Sequence, residues 1–100
     1  MYQVRLTAHA SDDYNKLDGS QKTGILKGLK RIEQRGMTAG EQLKGDLINC
    51  RKIKLRDAGL RIVFRQDGDN IKIMQIVAIG KRDKSKVYKD AIKRLNNEDD

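Results

Sequence analysis

The run CRKIKLRDAGLRIVFR, residues 50–65, decides how this chain folds. It has two halves on either side of Asp57-Ala58-Gly59, a turn signal. Its apolar residues, which recur at every second position, are Ile53, Leu55, Leu60, Ile62 and Phe64. The basic residues between them are Lys52, Lys54, Arg56, Arg61 and Arg65. Because successive side chains of a strand point to opposite faces, the run predicts two antiparallel strands joined by a tight turn.

The segment that follows predicts a third strand and a last helix. Residues 67–70 form a second turn signal, and residues 71–79 read as a strand that is apolar on both faces and therefore belongs inside a sheet. Its expected faces are Ile71, Ile73, Val77 and Ile79 on one side and Met74, Ile76 and Ala78 on the other. Residues 80–84 then predict a polar loop, and residues 85–95 predict the helix.

The segment that precedes the run predicts one strand and two helices. Residues 2–7 alternate as a strand, and a helix starting near Thr7 or Ala8 carries Tyr14 on its apolar stripe. Ser20 is the expected N-cap of a second helix that stops at Gly36 in a left-handed conformation. Residues 37–46 are expected to form a loop.

The predicted order of elements is β-α-α-β-β-β-α, which defines an α+β fold class. An N-terminal strand, an α-helical hairpin, a three-stranded antiparallel β-meander and a C-terminal helix follow one another, with the hairpin over an antiparallel sheet. We expect residues 1–97 to form a single domain and residues 98–100 to form an acidic tail.

Composition excludes several classes of protein. The chain has 100 residues, enough for one domain, and its charged residues make up 36% of it with a net charge of +8. No apolar run approaches the length of a membrane span, and the start, MYQVRLTAHA, lacks the apolar core of a signal peptide. The single Cys50 permits no internal disulfide and is expected to be a small buried apolar residue. A cytoplasmic location without membrane contact is therefore expected.

The positive charge is concentrated in the C-terminal half. Residues 44–97 hold fifteen basic and six acidic side chains, whereas residues 1–43 hold seven and five. Such a field favours a polyanionic partner, with nucleic acid ahead of an acidic protein or a membrane surface. A solvated basic surface that keeps the protein soluble is the alternative.

The alternation predicts that four or five cations share one outer face of the sheet: Lys52, Lys54, Arg56, Arg61 and Arg65. Cross-strand neighbours lie about 5 Å apart, so like charges there repel each other and weaken the sheet. No acidic residue is expected on that face, because Asp57 lies in the turn. A phosphate group would screen this repulsion, and we therefore favour phosphate binding over a purely solvated face.

Residues 50–64, followed by IMQIVAIGKRDKSKVYKDAIKRL at residues 73–95, resemble the RelE branch of the RelE/ParE superfamily of bacterial toxins. Leu43-Lys44-Gly45 agrees with the same pattern. The resemblance implies a toxin of a type II toxin–antitoxin system, held inactive by a cognate RelB-type antitoxin. It also implies a ribosome-dependent endoribonuclease that cuts mRNA in the decoding (A) site of the small subunit, beside rRNA. The ribose 2′-hydroxyl attacks the adjacent phosphate, leaving a 2′,3′-cyclic phosphate and a 5′-hydroxyl.

Three sets of site residues follow from this reading. Catalytic residues implied by the resemblance are Lys52, Lys54, Arg61, Arg82 and Tyr88. Expected RNA-binding residues are Lys44, Arg51, Arg56, Arg65, Lys81 and Lys84, although Arg51 replaces an aromatic residue of some members. The basic face of the second helix, with Lys22, Lys27, Lys30 and Arg31, is an expected ribosome contact or else a solvated face.

The expected roles follow from side-chain chemistry. Arg61 has a planar, permanently charged fork that suits the phosphate oxygens. Lys52 or Lys54 is the expected general base, since neighbouring like charges favour the neutral amine, and Arg82 is expected to assist the leaving oxygen. Tyr88 is expected to stack on a nucleobase, or alternatively only to pack beneath the last helix.

Metal and cofactor sites are not expected. The chain has one histidine, His9, and no cluster of histidine, cysteine or carboxylate with the spacing of metal ligands. Two other functions remain open from the sequence. One is a non-nucleolytic poison of DNA gyrase, as in the ParE branch, and the other is a basic RNA-binding module without catalysis.

Overall fold

Five strands and three helices make up the described part of the chain, residues 1–81 and 83–97 of a computed structural model. Arg82, the side chain of Lys84 and the predicted acidic tail at residues 98–100 lie outside the described residues. The strands are β1 (Gln3–Leu6), β2 (Glu41–Gln42), β3 (Cys50–Leu55), β4 (Leu60–Asp67) and β5 (Asn70–Lys81). The helices are α1 (Ala8–Asn15), α2 (Gly19–Arg35) and α3 (Lys86–Asn96).

The strands form one mixed sheet in the order β1-β5-β4-β3-β2. Strands β3, β4 and β5 form the predicted antiparallel meander, and the predicted α+β class is confirmed. The expectation of a wholly antiparallel sheet is wrong at β1, which runs parallel to β5. Strand β5 is apolar on both faces and needs a neighbour on each side. The long crossover through the helices and the meander returns the chain beside β1 in the same direction.

The predicted loop at residues 37–46 contains a short strand that the sequence did not reveal. Strand β2 has two residues, and Glu41 pairs with Lys52 while Gln42 pairs with Arg51 on β3. It therefore covers only the start of β3 and leaves the end that carries Lys54 as an edge of the sheet.

A β-bulge divides β5 between the two faces of the sheet. It lies opposite Val63 and Phe64, whose partners are Ala78 and Ile76, so that Val77 is the additional residue. The predicted division of β5 into two faces is therefore wrong beyond the bulge. The cluster under the helical hairpin takes Met74, Ile76 and Ile79, and the cluster under α3 takes Val77 and Ala78.

Each face of the sheet has its own core. The hairpin of α1 and α2 packs Ala10, Ile25 and Ile32 against Ile62 and Phe64, all fully buried. Helix α3 packs Val87 and Ala91 against Cys50, Val63 and Val77 on the other face. Because α3 covers the middle of that second face, the middle of the face is closed to solvent.

The helix ends follow local capping rules with one correction. Helix α1 begins at Ala8, within the expected start, and Thr7 is its N-cap, but α2 is capped by Asp18 and not by Ser20. The Asp18 side chain accepts a hydrogen bond from the backbone of Gln21, and the Gln21 side chain accepts one from the backbone of Asp18. These two reciprocal hydrogen bonds give partners to two backbone N–H groups at the start of α2. A cap at Ser20 would leave those two groups without a partner. Gly36 ends α2 at φ +60°, the predicted sign.

A bidentate ion pair between α1 and α3 fixes the helices across the sheet. Arg94 donates from Nη1 to Asp13 Oδ2 at 2.7 Å and from Nη2 to Asp13 Oδ1 at 3.0 Å. The same two side chains satisfy the backbone of β5 beyond the end of β1, since Asp13 accepts from Ile79 N–H at 3.0 Å and Arg94 donates to the Val77 carbonyl at 2.9 Å. The hydrogen bond that Arg94 donates to Asp13 is the largest cause of the raised pKa of Arg94.

We expect Asp13→Asn to lower the free energy of unfolding by about 3 kcal/mol, because it leaves a largely buried guanidinium without its counter-charge. The side chains of Arg94 and Asp13 are only 17% and 16% exposed, so water replaces the lost contact poorly. Urea denaturation followed by circular dichroism measures the change. The exposed neighbour Asp12 is the control, and Asp12→Asn should cost less than about 0.5 kcal/mol. Equal losses in both variants would contradict the role of the pair.

Candidate active site

A row of residues crosses three strands at one end of α3. Lys54 on β3 lies directly opposite Arg61 on β4, and Arg61 lies opposite Gly80 on β5. Lys52 lies two residues before Lys54 on the same face. Glycine at position 80 presents no side chain, so Val87 in the first turn of α3 lies over the row. We call Lys52, Lys54, Arg61 and Tyr88 the cationic site.

Tyr88 brings α3 into contact with these cations. Its Oη accepts a hydrogen bond from Arg61 Nη1 at 3.0 Å. The Lys52 Nζ lies 5.8 Å and the Arg61 Cζ 6.0 Å from the centroid of the Tyr88 ring. Tyr88 also packs against the core under α3, which is the packing expected for it as the alternative, and its expected stacking on a nucleobase stays a prediction.

Arg61 is held in an unfavourable environment. Its Nε is buried and has no hydrogen-bond partner, and its nearest cross-strand neighbour is the like-charged Lys54. An unsatisfied buried donor costs about 1–3 kcal/mol. A guanidinium kept at such a cost is typical of a functional site and not of a stabilising contact.

The expectation that no carboxylate lies on this face is wrong. Glu41 on β2 is directly opposite Lys52, and its Oε2 is 3.9 Å from Lys54 Nζ. Among residues 1–81 and 83–97, it is the only carboxylate in an ion pair with a member of the cationic site. The Glu41 side chain is 65% exposed, so it balances these charges only in part. Periodicity could not reveal it, because a strand of two residues has no alternation.

Three cavities surround the side chains of Lys54 and Arg56 at the edge of the sheet. One of about 250 Å³ also reaches Arg61, and one of about 210 Å³ reaches Lys52 and Glu41. The third, of about 450 Å³, lies against α2 and is lined by Lys27 and Arg31 as well. The positive surface therefore continues from the cationic site around the sheet edge to α2.

Some predicted RNA-binding residues lie away from the cationic site. Arg51 is on the other face of β3, where it donates to the Gly40 carbonyl at 3.4 Å. Arg65 donates to Gln75 at 2.8 Å and lies on the same face as the lysines, as expected, because it pairs with Cys50. Helix α3 covers Cys50 and Val63, however, and so separates Arg65 from the cationic site. Lys81 pairs with Leu60 at the exposed end of β5.

The remaining predicted residues are dispersed. Lys44 is exposed at the start of a short 3-10 turn. Arg82 and the side chain of Lys84 are outside the described residues, so their predicted roles are not located. On α2, Lys30 is exposed, whereas Lys22 lies 5.5 Å from the centroid of the Tyr14 ring.

Three further features bear on the chemistry. Cys50 is 1% exposed, and its burial raises the pKa of its thiol, which agrees with the expected packing role. No group of three or more potential metal ligands occurs in the part of the chain that the structure describes. Within the same residues, no helix has the length and apolar character needed to cross a membrane.

We expect Arg61→Met to raise the free energy of unfolding by about 1 kcal/mol at low ionic strength, since it removes the unsatisfied Nε and the repulsion from Lys54. The gain should shrink with added salt, which screens the repulsion. Urea denaturation at two salt concentrations measures both effects.

The matched control is Arg65→Met, because the Arg65 Nε donates a hydrogen bond to Gln75, whereas the Arg61 Nε has no partner. That variant should lose about 1 kcal/mol. A loss of stability in Arg61→Met as large as in Arg65→Met would show that the environment of Arg61 is not unfavourable.

Comparisons with known proteins show a similarity that extends over nearly the whole chain. No protein-family model matches the sequence. A RelE-like toxin protein of Escherichia coli is 34% identical over 94 residues, which are 94% of this chain and 97% of the relative. The mRNA interferase toxin RelE of Escherichia coli strain K12 is 28% identical over 94 residues, again 94% of this chain and 97% of the relative.

Solved structures give the same similarity in three dimensions. An Escherichia coli toxin RelE with two arginine-to-alanine substitutions, in the free state, has a TM-score of 0.76 at 29% identity, covering 94% of this chain and 97% of that one. The same variant in complex with a peptide of the antitoxin RelBc has a TM-score of 0.71 at 26% identity, covering 90% and 93%.

Proposed function

This chain belongs to the family of RelE-like toxins, and on that premise we propose that it is the toxin of a type II toxin–antitoxin system, an endoribonuclease that cleaves mRNA in the A site of the ribosome. The name mRNA interferase of its relative supports this activity. A RelB-type antitoxin is the proposed inhibitory partner, supported by the toxin–peptide complex of similar fold. We place the protein in the cytoplasm, with residues 1–97 as one toxin domain.

The observation that carries the proposal is the position of Arg61. Its guanidinium donates to the hydroxyl of Tyr88 on α3, its neighbour across the strands is the like-charged Lys54, and its buried Nε has no hydrogen-bond partner. A phosphate would supply the negative charge that this arrangement lacks. In-line attack on a phosphodiester builds additional negative charge in the transition state, which preorganised cations stabilise more than they stabilise the ground state.

The proposed reaction is transesterification within one nucleotide linkage. The 2′-oxygen forms a bond to phosphorus as its proton leaves, and the bond from phosphorus to the 5′-oxygen breaks as that oxygen gains a proton. Arg61 binds the non-bridging oxygens, and Tyr88 stacks on a base and orients the 2′-hydroxyl. From the sequence, the candidates for accepting the first proton are Lys52 and Lys54, and Arg82 is the candidate for assisting the leaving oxygen.

The ribosome has a distinct role in this proposal. The cavities beside Lys54 and Arg56 extend to Lys27 and Arg31 on α2, which offers a continuous positive surface to rRNA as well as to the message. In-line geometry requires a bent RNA linkage, and the ribosome can hold the message in that shape. Free mRNA should therefore be a poor substrate.

We expect Arg61→Ala to slow cleavage by at least about 100-fold, as for the loss of a contact made to the transition state. The measurement is end-mapping of transcripts from a translating extract, where wild-type protein should leave cyclic-phosphate ends inside codons. Arg5→Ala is the control, since Arg5 is exposed on β1 and its guanidinium donates to the Gln3 side chain, outside the cationic site. Intact messages with wild-type protein, together with blocked DNA supercoiling, would favour a gyrase poison instead.

Chelation should leave cleavage unchanged, because the proposed proton transfers and charge stabilisation use side chains alone. The extract is replaced by purified ribosomes with bound message, and EDTA is added at a concentration at which sedimentation still shows intact ribosomes. Loss of cleavage under that control, restored by one divalent metal, would indicate a metal-dependent reaction.

A further inference from the structure

A carboxylate stands where the proposed reaction needs a proton acceptor. Glu41 is held by β2 directly opposite Lys52, on the face of the sheet that carries the cationic site. Its Oε2 is 3.9 Å from Lys54 Nζ, and the cavity of about 210 Å³ is lined by Glu41, Lys52 and Lys54 together. We infer that Glu41 is the general base that takes the proton from the attacking 2′-hydroxyl, an assignment that rests on the proposed function.

The chemical argument compares the two kinds of group. A carboxylate has a free lone pair at neutral pH, whereas an ammonium group must first lose its proton before it can act as a base. A lysine that remains protonated also serves the reaction better, because it keeps its charge near the phosphate and holds a proton for the leaving oxygen. Glu41 as base therefore leaves both lysines in the form that stabilises the transition state.

The protons balance over one reaction cycle. The 2′-oxygen bonds to phosphorus and its proton passes to Glu41, while the 5′-oxygen leaves and takes a proton from Lys52 or Lys54. The site then holds a neutral carboxyl group and a neutral amine. Because Glu41 and Lys54 are neighbours, the proton passes from the carboxyl group to the amine, directly or through water, and restores the starting charges.

The position of Glu41 at the sheet edge fits an acceptor and not a structural ion pair. Its side chain is 65% exposed, and an exposed pair at 3.9 Å contributes little to stability, about 0–1 kcal/mol. Strand β2 is held to β3 by its backbone, so the Glu41 backbone is fixed while its side chain is free to turn toward a bound ribose. The backbone of Glu41 thus has a fixed position, while its carboxylate can leave Lys54 and contact a substrate.

The test measures single-turnover cleavage of ribosome-bound message at saturating protein. Glu41→Gln, which has the same shape without the charge, should reduce the rate constant by at least about 100-fold. The protein concentration for half-maximal rate should change by less than about twofold, because ground-state binding is retained. Asp46→Asn is the matched control, since it removes the same charge from an exposed turn outside the site, and it should cleave at the wild-type rate.

Rescue by a small carboxylate separates a base from a residue that only positions Lys54. Glu41→Ala opens space in the cavity, and added formate should then restore cleavage at least about tenfold, while chloride at equal ionic strength should not. A Glu41→Gln variant as fast as wild type, or faster, would overturn the inference. So would a slow Glu41→Ala variant that formate does not rescue, because Glu41 would then act through Lys54. If the wild-type protein itself leaves ribosome-bound message intact, the proposed function fails instead.

Discussion

The pair of Asp13 and Arg94 is the constraint on which the arrangement of the site depends. It joins the helical hairpin on one face of the sheet to α3 on the other, and it completes the hydrogen bonding of β5 where β1 has ended. By fixing the C-terminal turn of α3, it also fixes the direction in which the first turn projects. The position of Tyr88 over Arg61 therefore depends on Arg94, at the far end of the same helix, and on Asp13 of α1, which holds Arg94 in place.

Around this constraint, stability and function make opposite demands on the sheet. The two apolar clusters bury β4 and β5 on both faces and supply the driving force for folding. At one end of α3, the neighbouring strands β3 and β4 place Lys54 beside Arg61, and the Nε of Arg61 has no partner. The apolar cores tolerate this cost, and a site preorganised for negative charge is the result.

The sequence predicted those parts of the structure that follow from local periodicity. The alternation of residues 50–65 fixed the pairing of β3 and β4 and thus placed Lys54 beside Arg61. It could not reveal the direction of β1, the two-residue strand that carries Glu41, or the bulge at Val77, because each depends on contacts between distant segments. It also could not show that α3 separates Arg65 from the other cations. The catalytic roles of the named residues rest on resemblance and chemistry, which periodicity does not supply.

The additional residue at Val77 has a consequence for how this chain tolerates change in length. Strand β5 contributes to both cores because the alternation of its side chains between the two faces is reversed once, at the bulge. The number of residues between Ile76 and Ile79 determines that reversal. Removing one residue there would turn an apolar side chain from one interior into the other and move Gly80 out of line with Arg61. Substitutions between apolar residues are therefore tolerated in this segment, whereas insertions and deletions are not.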